Sequence, residues 1–234
     1  MGKTWIMTAG SGGIGKSSLT IAFAVIAARQ GKTLILDACG PCRACDLYMG
    51  MQNVVTLDLR DVLLHQIDLT SVIYPVPEHE NLFYACVSLF RESRLEEVQG
   101  ILLSLQEMFE NVFLDISSSG MNWSLPVFTR RDRAVVLLRP DHVSFRGAEA
   151  IVTDARNRGV PAYPVINQME KSLVRHGYQM NGTTVSQVLD CPVAGEIMRM
   201  PDFFTSSIRE EHFPVIPTKQ MKLFEEIYHE IDSN

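Results

Sequence analysis

Short apolar runs alternate with amphipathic segments along the chain. The runs have the length of buried strands, and the segments between several of them repeat apolar residues at helical spacing. This alternation predicts an α/β fold, with a mostly parallel central sheet and helices on both faces. Because no linker-like stretch interrupts it, we expect a single domain over residues 1–234. The predicted strands are residues 4–9, 33–37, 82–87, 112–115, 134–139, 162–166 and 193–197.

Local signals predict where some helices begin and where loops lie. Ser93 and Glu96 form a capping box, which predicts the start of a helix. Another helix is expected to begin after Asp141 and to stop at Gly159. Two segments rich in Ser, Gly and Asn, residues 116–126 and 168–184, are predicted to be loops.

The most specific motif is GSGGIGKSS, residues 10–18, between the first predicted strand and the first predicted helix. Its spacing matches GxxxxGK[ST] in the strand, loop and helix setting that the motif requires. The backbone N–H groups of such a loop turn toward an anion, and the helix directs its positive end at the same point. The motif predicts a P-loop NTPase whose nucleotide contacts come from Ser11, Gly12, Gly13, Ile14, Gly15, Lys16, Ser17 and Ser18.

Some polar residues of this pattern have separate expected roles. Lys16 would neutralise the outer phosphates, and Ser17 would give its hydroxyl to Mg²⁺. Ligands of such sheets bind beyond the carboxyl ends of the strands, where we expect Asp37, Asp115 and Asn167. Asp115 has the setting of a magnesium-ordering carboxylate, although it could instead cap the segment that follows. Asn167 fits a strand-end turn equally well.

These residues resemble the MinD/ParA family of deviant P-loop ATPases, and the resemblance covers nearly the whole chain. LILDACGPCRACDLYMGM is similar to the family's switch I region and contains Asp37, while VFLDISSSG places Asp115 at the switch II aspartate. By the same resemblance, Asn167 in PVINQ reads the adenine edge. A later segment is similar to the family's loop beside the base and supplies Met200, Pro201 and Asp202.

The resemblance also implies an activity. It implies ATP or ADP bound with Mg²⁺, a homodimer and a protein partner, in a nucleotide-dependent spatial regulator of the division site or of pilus or flagellar assembly. The catalytic residues would be Lys16, Asp37 and Asp115. Mg²⁺ would be held by Ser17, Asp37 and Asp115, partly through water.

Two positions depart from the family pattern. The family's signature lysine precedes the paired glycines, and this chain has Ser11 there. The family's water-positioning aspartate lies two residues after Asp37, where this chain has Cys39. A neutral thiol does not replace a carboxylate as a proton acceptor without activation of its own. We therefore expect ATP hydrolysis to be weak or absent, and a dimeric pseudo-ATPase scaffold is an alternative.

The same region carries a possible metal motif, CGPCRAC, which contains Cys39, Cys42 and Cys45. Thiolates at this spacing hold zinc or an iron–sulfur cluster in other proteins. Cys86 or Cys191 would be a distant fourth ligand, or the second copy in a dimer would supply the rest. A metal- or cluster-handling ATPase is therefore an alternative function. Ordinary free thiols are the stronger interpretation, because only three ligands are local and no histidine has matching spacing.

Charge and hydropathy narrow the expected partners and location. The formal net charge of −6 disfavours a nucleic-acid binder, and the basic cluster Arg130, Arg131 and Arg133 fits a solvated loop. The first residues lack an apolar leader, so a cytoplasmic location is expected. Residues 217–234 predict a helix with one apolar and one acidic face, which fits packing on the domain better than binding to anionic lipid. We expect no direct membrane anchor, although a partner could recruit the chain to a membrane.

Overall fold

The computed structural model describes residues 1–40, 43–65, 67–87, 95–116, 128–200 and 218–234. Within these ranges the strands are β1 (Lys3–Ala9), β2 (Thr33–Ala38), β3 (Tyr74–Pro75), β4 (Leu82–Cys86), β5 (Asn111–Ile116), β6 (Arg133–Leu138), β7 (Ala162–Met169) and β8 (Gly195–Met198). They form one eight-stranded sheet in the order β3-β4-β2-β5-β1-β6-β7-β8. Neighbouring strands are parallel, except for the antiparallel pair of β3 and β4.

Helices cover both faces of this sheet. In the described ranges they are α1 (Lys16–Ala28), α2 (Cys45–Tyr48), α3 (Leu59–His65), α4 (Leu95–Met108), α5 (His142–Asn157), α6 (Lys171–Arg175), α7 (Gly182–Leu189) and α8 (Thr218–Ser233), with a 3₁₀ turn at Leu69–Val72. The central strands are buried on both faces, which explains why their sequences are continuous apolar runs rather than alternating patterns.

Successive residues of β1 pack on opposite sides of the sheet. Trp5 and Met7 face the cluster formed with α1 and α8, whereas Ile6 faces the cluster that contains Leu102 and Leu105 of α4. This follows from the period of two in a strand. Strand β1 is thus fixed from both faces, and with it the loop that continues from Ala9.

The last helix, α8, packs on the same face of the sheet as α1. Its apolar side is buried, and the ring of Tyr228 stacks on Trp5 with centroids 4.8 Å apart. On its polar side Glu225 pairs with Arg29 of α1. The expected packing of this helix is confirmed. None of the described helices combines the length and the apolar character needed to cross a bilayer.

The basic cluster before β6 has a structural role. The guanidinium of Arg133 is buried and donates to the carbonyl oxygens of Arg130, Arg131 and Ile231, each at 3.1 Å. Arg130 and Arg131 are exposed. The prediction of a solvated loop is confirmed for Arg130 and Arg131 but was wrong for Arg133, which is buried at the first position of β6 and ties the loop to the end of α8.

The predicted strands are confirmed, with ends that shift by a few residues. The predicted loop at 168–184 was wrong, because α6 and α7 begin inside it. Strand β3 was not predicted, since it has only two residues and one of them is a proline.

The predicted helix after Asp141 is confirmed. The carboxylate of Asp141 accepts hydrogen bonds from the N–H groups of Val143 and Ser144. Ser93 and most of the predicted loop at 116–126 lie outside the described residues.

Candidate functional site

The glycine-rich segment forms the turn between β1 and α1. Gly13 and Gly15 have φ angles of +70° and +86°, a region that side chains disfavour. A Cβ atom added to Gly12 or Gly13 would meet nothing within 4 Å, so the loop presents an open backbone surface. Since Lys16 begins α1, the positive end of that helix faces the same opening.

The start of the loop is held by close contact with α5. A Cβ atom on Gly10 would lie 2.0 Å from the carbonyl oxygen of Ser144, and one on Gly147 would lie 2.1 Å from the carbonyl oxygen of Gly10. Both distances are far below a van der Waals contact, so both positions require glycine. Ser11 donates a hydrogen bond to the hydroxyl of Ser144 at 3.1 Å. Its side chain is thus engaged within its own chain.

Two side chains from the first turn of α1 converge on Asp115. Lys16 forms an ion pair with one carboxylate oxygen, and the hydroxyl of Ser17 donates to the other at 2.6 Å. The ammonium of Lys16 also donates to Sγ of Cys39 at 3.1 Å. Burial by itself would lower the pKa of Lys16, but the charge of Asp115 and these hydrogen bonds leave it raised. The lysine is therefore charged and held at the mouth of the loop.

Asp37 lies beside Asp115, because the two residues are partners in the parallel pairing of β2 with β5. Both are fully buried. Asp37 accepts hydrogen bonds from the backbone N–H groups of Cys39, Ala44 and Cys45, each at 3.1 Å. Burial and the charge of Asp115 raise the pKa of Asp37. Its carboxylate orders the segment after β2 and is itself held in one orientation.

Two thiols from that segment contact Asp115, one at its carboxylate and one at its backbone. Sγ of Cys45 lies 3.4 Å from Oδ2 of Asp115, and Sγ of Cys39 lies 3.6 Å from the carbonyl oxygen of Asp115. Burial and the charge of Asp115 raise the pKa of Cys39 to about 12 and that of Cys45 well above its ordinary value. Both thiols are therefore protonated at neutral pH.

The other cysteines do not complete a thiolate cluster in the described part of the chain. Cys86 in β4 accepts a hydrogen bond from Arg43 at 3.0 Å, and Cys191 contacts the carbonyl oxygen of Ala162 in β7, with four strands between β4 and β7. Cys42 lies outside the described residues. Among the described residues, one group of at least three His, Cys, Asp or Glu side chains has its potential ligand atoms all within 4.8 Å of one another. Its members are Asp37, Cys45 and Asp115.

The end of β7 contacts the far side of the loop. Nδ2 of Asn167 donates to the carbonyl oxygen of Ile14 at 2.7 Å, and Nε2 of Gln168 donates to that of Gly13 at 3.1 Å. Gln168 was not predicted, and its φ of +62°, unusual for a residue other than glycine, directs it toward the loop. Met200 packs partly buried against the main core, while Pro201 and Asp202 lie outside the described residues.

Comparison with known proteins shows what the chain is similar to. No protein-family model matches the chain. The septum site-determining protein MinD of Helicobacter pylori is 25% identical over 224 residues, which cover 91% of this chain and 83% of that protein. The chain is a homologue of the MinD/ParA ATPases.

Solved structures of this family share the fold. MinD in the MinC:MinD complex of Aquifex aeolicus superposes with a TM-score of 0.86 at 17% identity, covering 99% of this chain and 96% of that one. MinD of Pyrococcus horikoshii, complexed with Mg-ADP, gives 0.79 at 17% identity, with 99% and 96% covered. A ParA family ATPase of Chlorobium tepidum gives 0.78 at 16% identity, with 100% and 99% covered. The MinD/ParA architecture therefore extends over the whole length of the chain.

Proposed function

We propose that this MinD/ParA homologue is a nucleotide-dependent spatial regulator, acting in division or partition, that binds ATP or ADP with Mg²⁺ in one domain over residues 1–234. The observation that carries the proposal is the convergence of Lys16 and Ser17 on Asp115 beneath an open glycine loop. The relatives support both parts of the proposal, since one is named for septum-site determination and another was solved with Mg-ADP.

The residues of the site fit a phosphate group and a divalent cation. The backbone at Gly12 and Gly13 has room for phosphate oxygens, and Lys16 has the charge to bind them. Asp37 and Asp115 are two buried carboxylates near the single ammonium of Lys16. When that ammonium binds phosphate instead, a cation is needed to neutralise the charge of the carboxylates. We assign the cation to Ser17, Asp37 and Asp115, partly through water. When bound, it would supply Lewis-acid charge to the phosphates.

We assign the phosphate contacts to the loop from Ser11 to Ser18 and the base contacts to the end of β7 and the segment after β8. Asn167 already fixes the loop through Ile14, so its contact with a base would be made from an anchored position. The remaining base contacts follow from the family resemblance and are assigned to Met200, Pro201 and Asp202.

We propose that hydrolysis is weak, with Lys16, Asp37 and Asp115 as the catalytic residues that remain. Ser11 offers no cation and is bonded to Ser144. Cys39 holds its proton near neutral pH, because its pKa is raised to about 12, and so it cannot act as a base. Both features favour a binding switch over a fast ATPase. Protein partners are expected, as in the MinC:MinD complex of a relative, and we propose that such a partner recruits the chain to a membrane.

Light scattering tests whether nucleotide switches the assembly. The full chain is run with Mg-ATP, with Mg-ADP and without nucleotide. We expect the measured mass to change from monomer to dimer only with Mg-ATP. An identical dimer mass in all three solutions would reject the switch and favour the pseudo-ATPase scaffold.

A further inference from the structure

Strand β7 is irregular where it reaches the glycine loop. Its pairing with β8 shifts between Ile166 and Met169, where three steps along β7 match two steps along β8. One residue of β7 is therefore extra, as in a β-bulge. Bulges beside binding sites change the direction of side chains. Here two neighbouring amides inside the irregular stretch, those of Asn167 and Gln168, both donate to the loop.

The backbone conformation of Gln168 is unfavourable in itself. Its φ of +62° lies in the left-handed region, which strains any residue with a Cβ atom and persists only where the surrounding structure imposes it. The side chain gains one hydrogen bond there, from Nε2 to the carbonyl oxygen of Gly13, in an exposed setting. Such a bond replaces one to water and adds little net stability. The strain therefore indicates a role other than stabilising the fold.

The two amides fix the orientation of two peptide groups in the loop. Gln168 donates to the carbonyl oxygen of Gly13, and Asn167 donates to that of Ile14. The C=O and N–H bonds of a planar trans peptide point in opposite directions. Since both carbonyls point toward β7, the N–H groups of Ile14 and Gly15 point to the other side of the loop. Within the described part of the chain, neither N–H group has a hydrogen-bond acceptor, so both can donate to an anion.

We propose that Gln168 is a positioning residue for the phosphates of the bound nucleotide. Together with Asn167 it holds the loop, before nucleotide binds, in the conformation that directs the N–H groups of Ile14 and Gly15 at phosphate oxygens. Such preorganisation increases affinity because the loop need not be ordered on binding. Gln168 acts through Gly13 on the phosphate end of the nucleotide and not on its base. This role rests on the proposed function, since the phosphates are those of the nucleotide.

Gln168→Gly tests the role, because it removes the amide and relieves the positive φ. Affinity is measured for two probes, Mg-ATP and Mg-tripolyphosphate, by competition with a fluorescent ATP analogue. We expect both affinities to fall by about three- to tenfold, the equivalent of one hydrogen bond. The two factors should be equal, since tripolyphosphate has no base. The melting temperature without nucleotide should not fall, because glycine adopts this φ without strain.

Glu78→Gly is the matched control. Glu78 also has a positive φ, +64°, but lies in the turn between β3 and β4. Its replacement should relieve a similar strain and leave the affinity for both probes unchanged.

Three results would overturn the role of Gln168 while leaving the proposed function intact. In the first, Gln168→Gly binds both probes like the unmodified chain. In the second, the variant loses affinity for Mg-ATP alone, which would indicate a contact with the base. In the third, the loss of affinity comes with a lowered melting temperature, which would indicate a structural role. If the unmodified chain bound neither probe, the proposed function would fail, and the role of Gln168 with it.

Discussion

The glycine loop and the segment after β2 both contact Asp115, and they differ in chemistry. The loop side brings an open backbone, a charged lysine and a hydroxyl to Asp115. The other side brings two protonated thiols, Cys39 and Cys45. The first set suits phosphate binding, although Ser11 of the loop carries no charge, and the second set supplies no base. Binding and turnover therefore depend on different residues and can be separated by mutation.

The largest effect is expected from restoring the two positions that depart from the family pattern, Ser11 in the loop and Cys39 after β2. The double variant Ser11→Lys with Cys39→Asp should raise ATP turnover more than either single change, because one stabilises phosphate charge and the other orients water. A cation delivered to the transferred phosphoryl group is worth on the order of 10³–10⁵ in rate in arginine-finger enzymes. The rate of steady-state phosphate release measures the ATP turnover of each variant. Brisk turnover by the unmodified chain, comparable with the double variant, would mean that other residues fill these roles.

The next effect concerns the contact that holds the loop. Gly147→Ala places a Cβ atom 2.1 Å from the carbonyl oxygen of Gly10, so backbone must move. Overpacking of this kind costs about 1–3 kcal/mol of the free energy of unfolding. Urea denaturation measures the free energy of unfolding. The affinity for ATP should also fall, because the loop shifts.

Gly100→Ala is the matched control for that prediction. Gly100 also lies within a helix, α4, and a Cβ atom there meets nothing within 4 Å. The higher helix propensity of alanine should then stabilise the chain by about 0.5–1 kcal/mol. Equal destabilisation of both variants would show that the contact between Gly10 and Gly147 is not what matters.

A smaller effect concerns the reactivity of the thiol side. Because the pKa of Cys39 is raised to about 12 from 9.0, its reactive thiolate fraction increases only in strong base. Alkylation by iodoacetamide at pH 8.5, followed by mass spectrometry, should modify Cys39 at least about tenfold more slowly than free glutathione. Alkylation as fast as that of glutathione would indicate an activated thiolate and would remove the argument that Cys39 is inert.

Much of the loop side could be predicted from sequence, because its signals are local. The spacing of Gly10, Gly15 and Lys16 and the apolar runs before Asp37 and Asp115 need no long-range information. Contacts made across the fold could not be predicted in this way. The pairing of β2 with β5 brings Asp37 to Asp115, and the N–H of Cys45 bonds to Asp37, so that its thiol lies beside Asp115.

The same limit applies to β7 and α5. Strand β7 continues past its apolar run to a positive φ at Gln168, which then reaches Gly13. The glycine at position 147 gives no signal in the sequence, since its requirement comes from the backbone of Gly10 one layer away. Sequence patterns thus predicted the chemistry of the loop but not the contacts that hold it.

The central claim, that Lys16 and the open loop form the nucleotide site, is tested most directly by isothermal calorimetry of Mg-ATP binding. The unmodified chain should bind, Lys16→Ala should show no measurable heat of binding, and Lys219→Ala, which removes an exposed lysine of α8, should bind like the unmodified chain. Equal ATP affinity of Lys16→Ala and the unmodified chain would contradict the account.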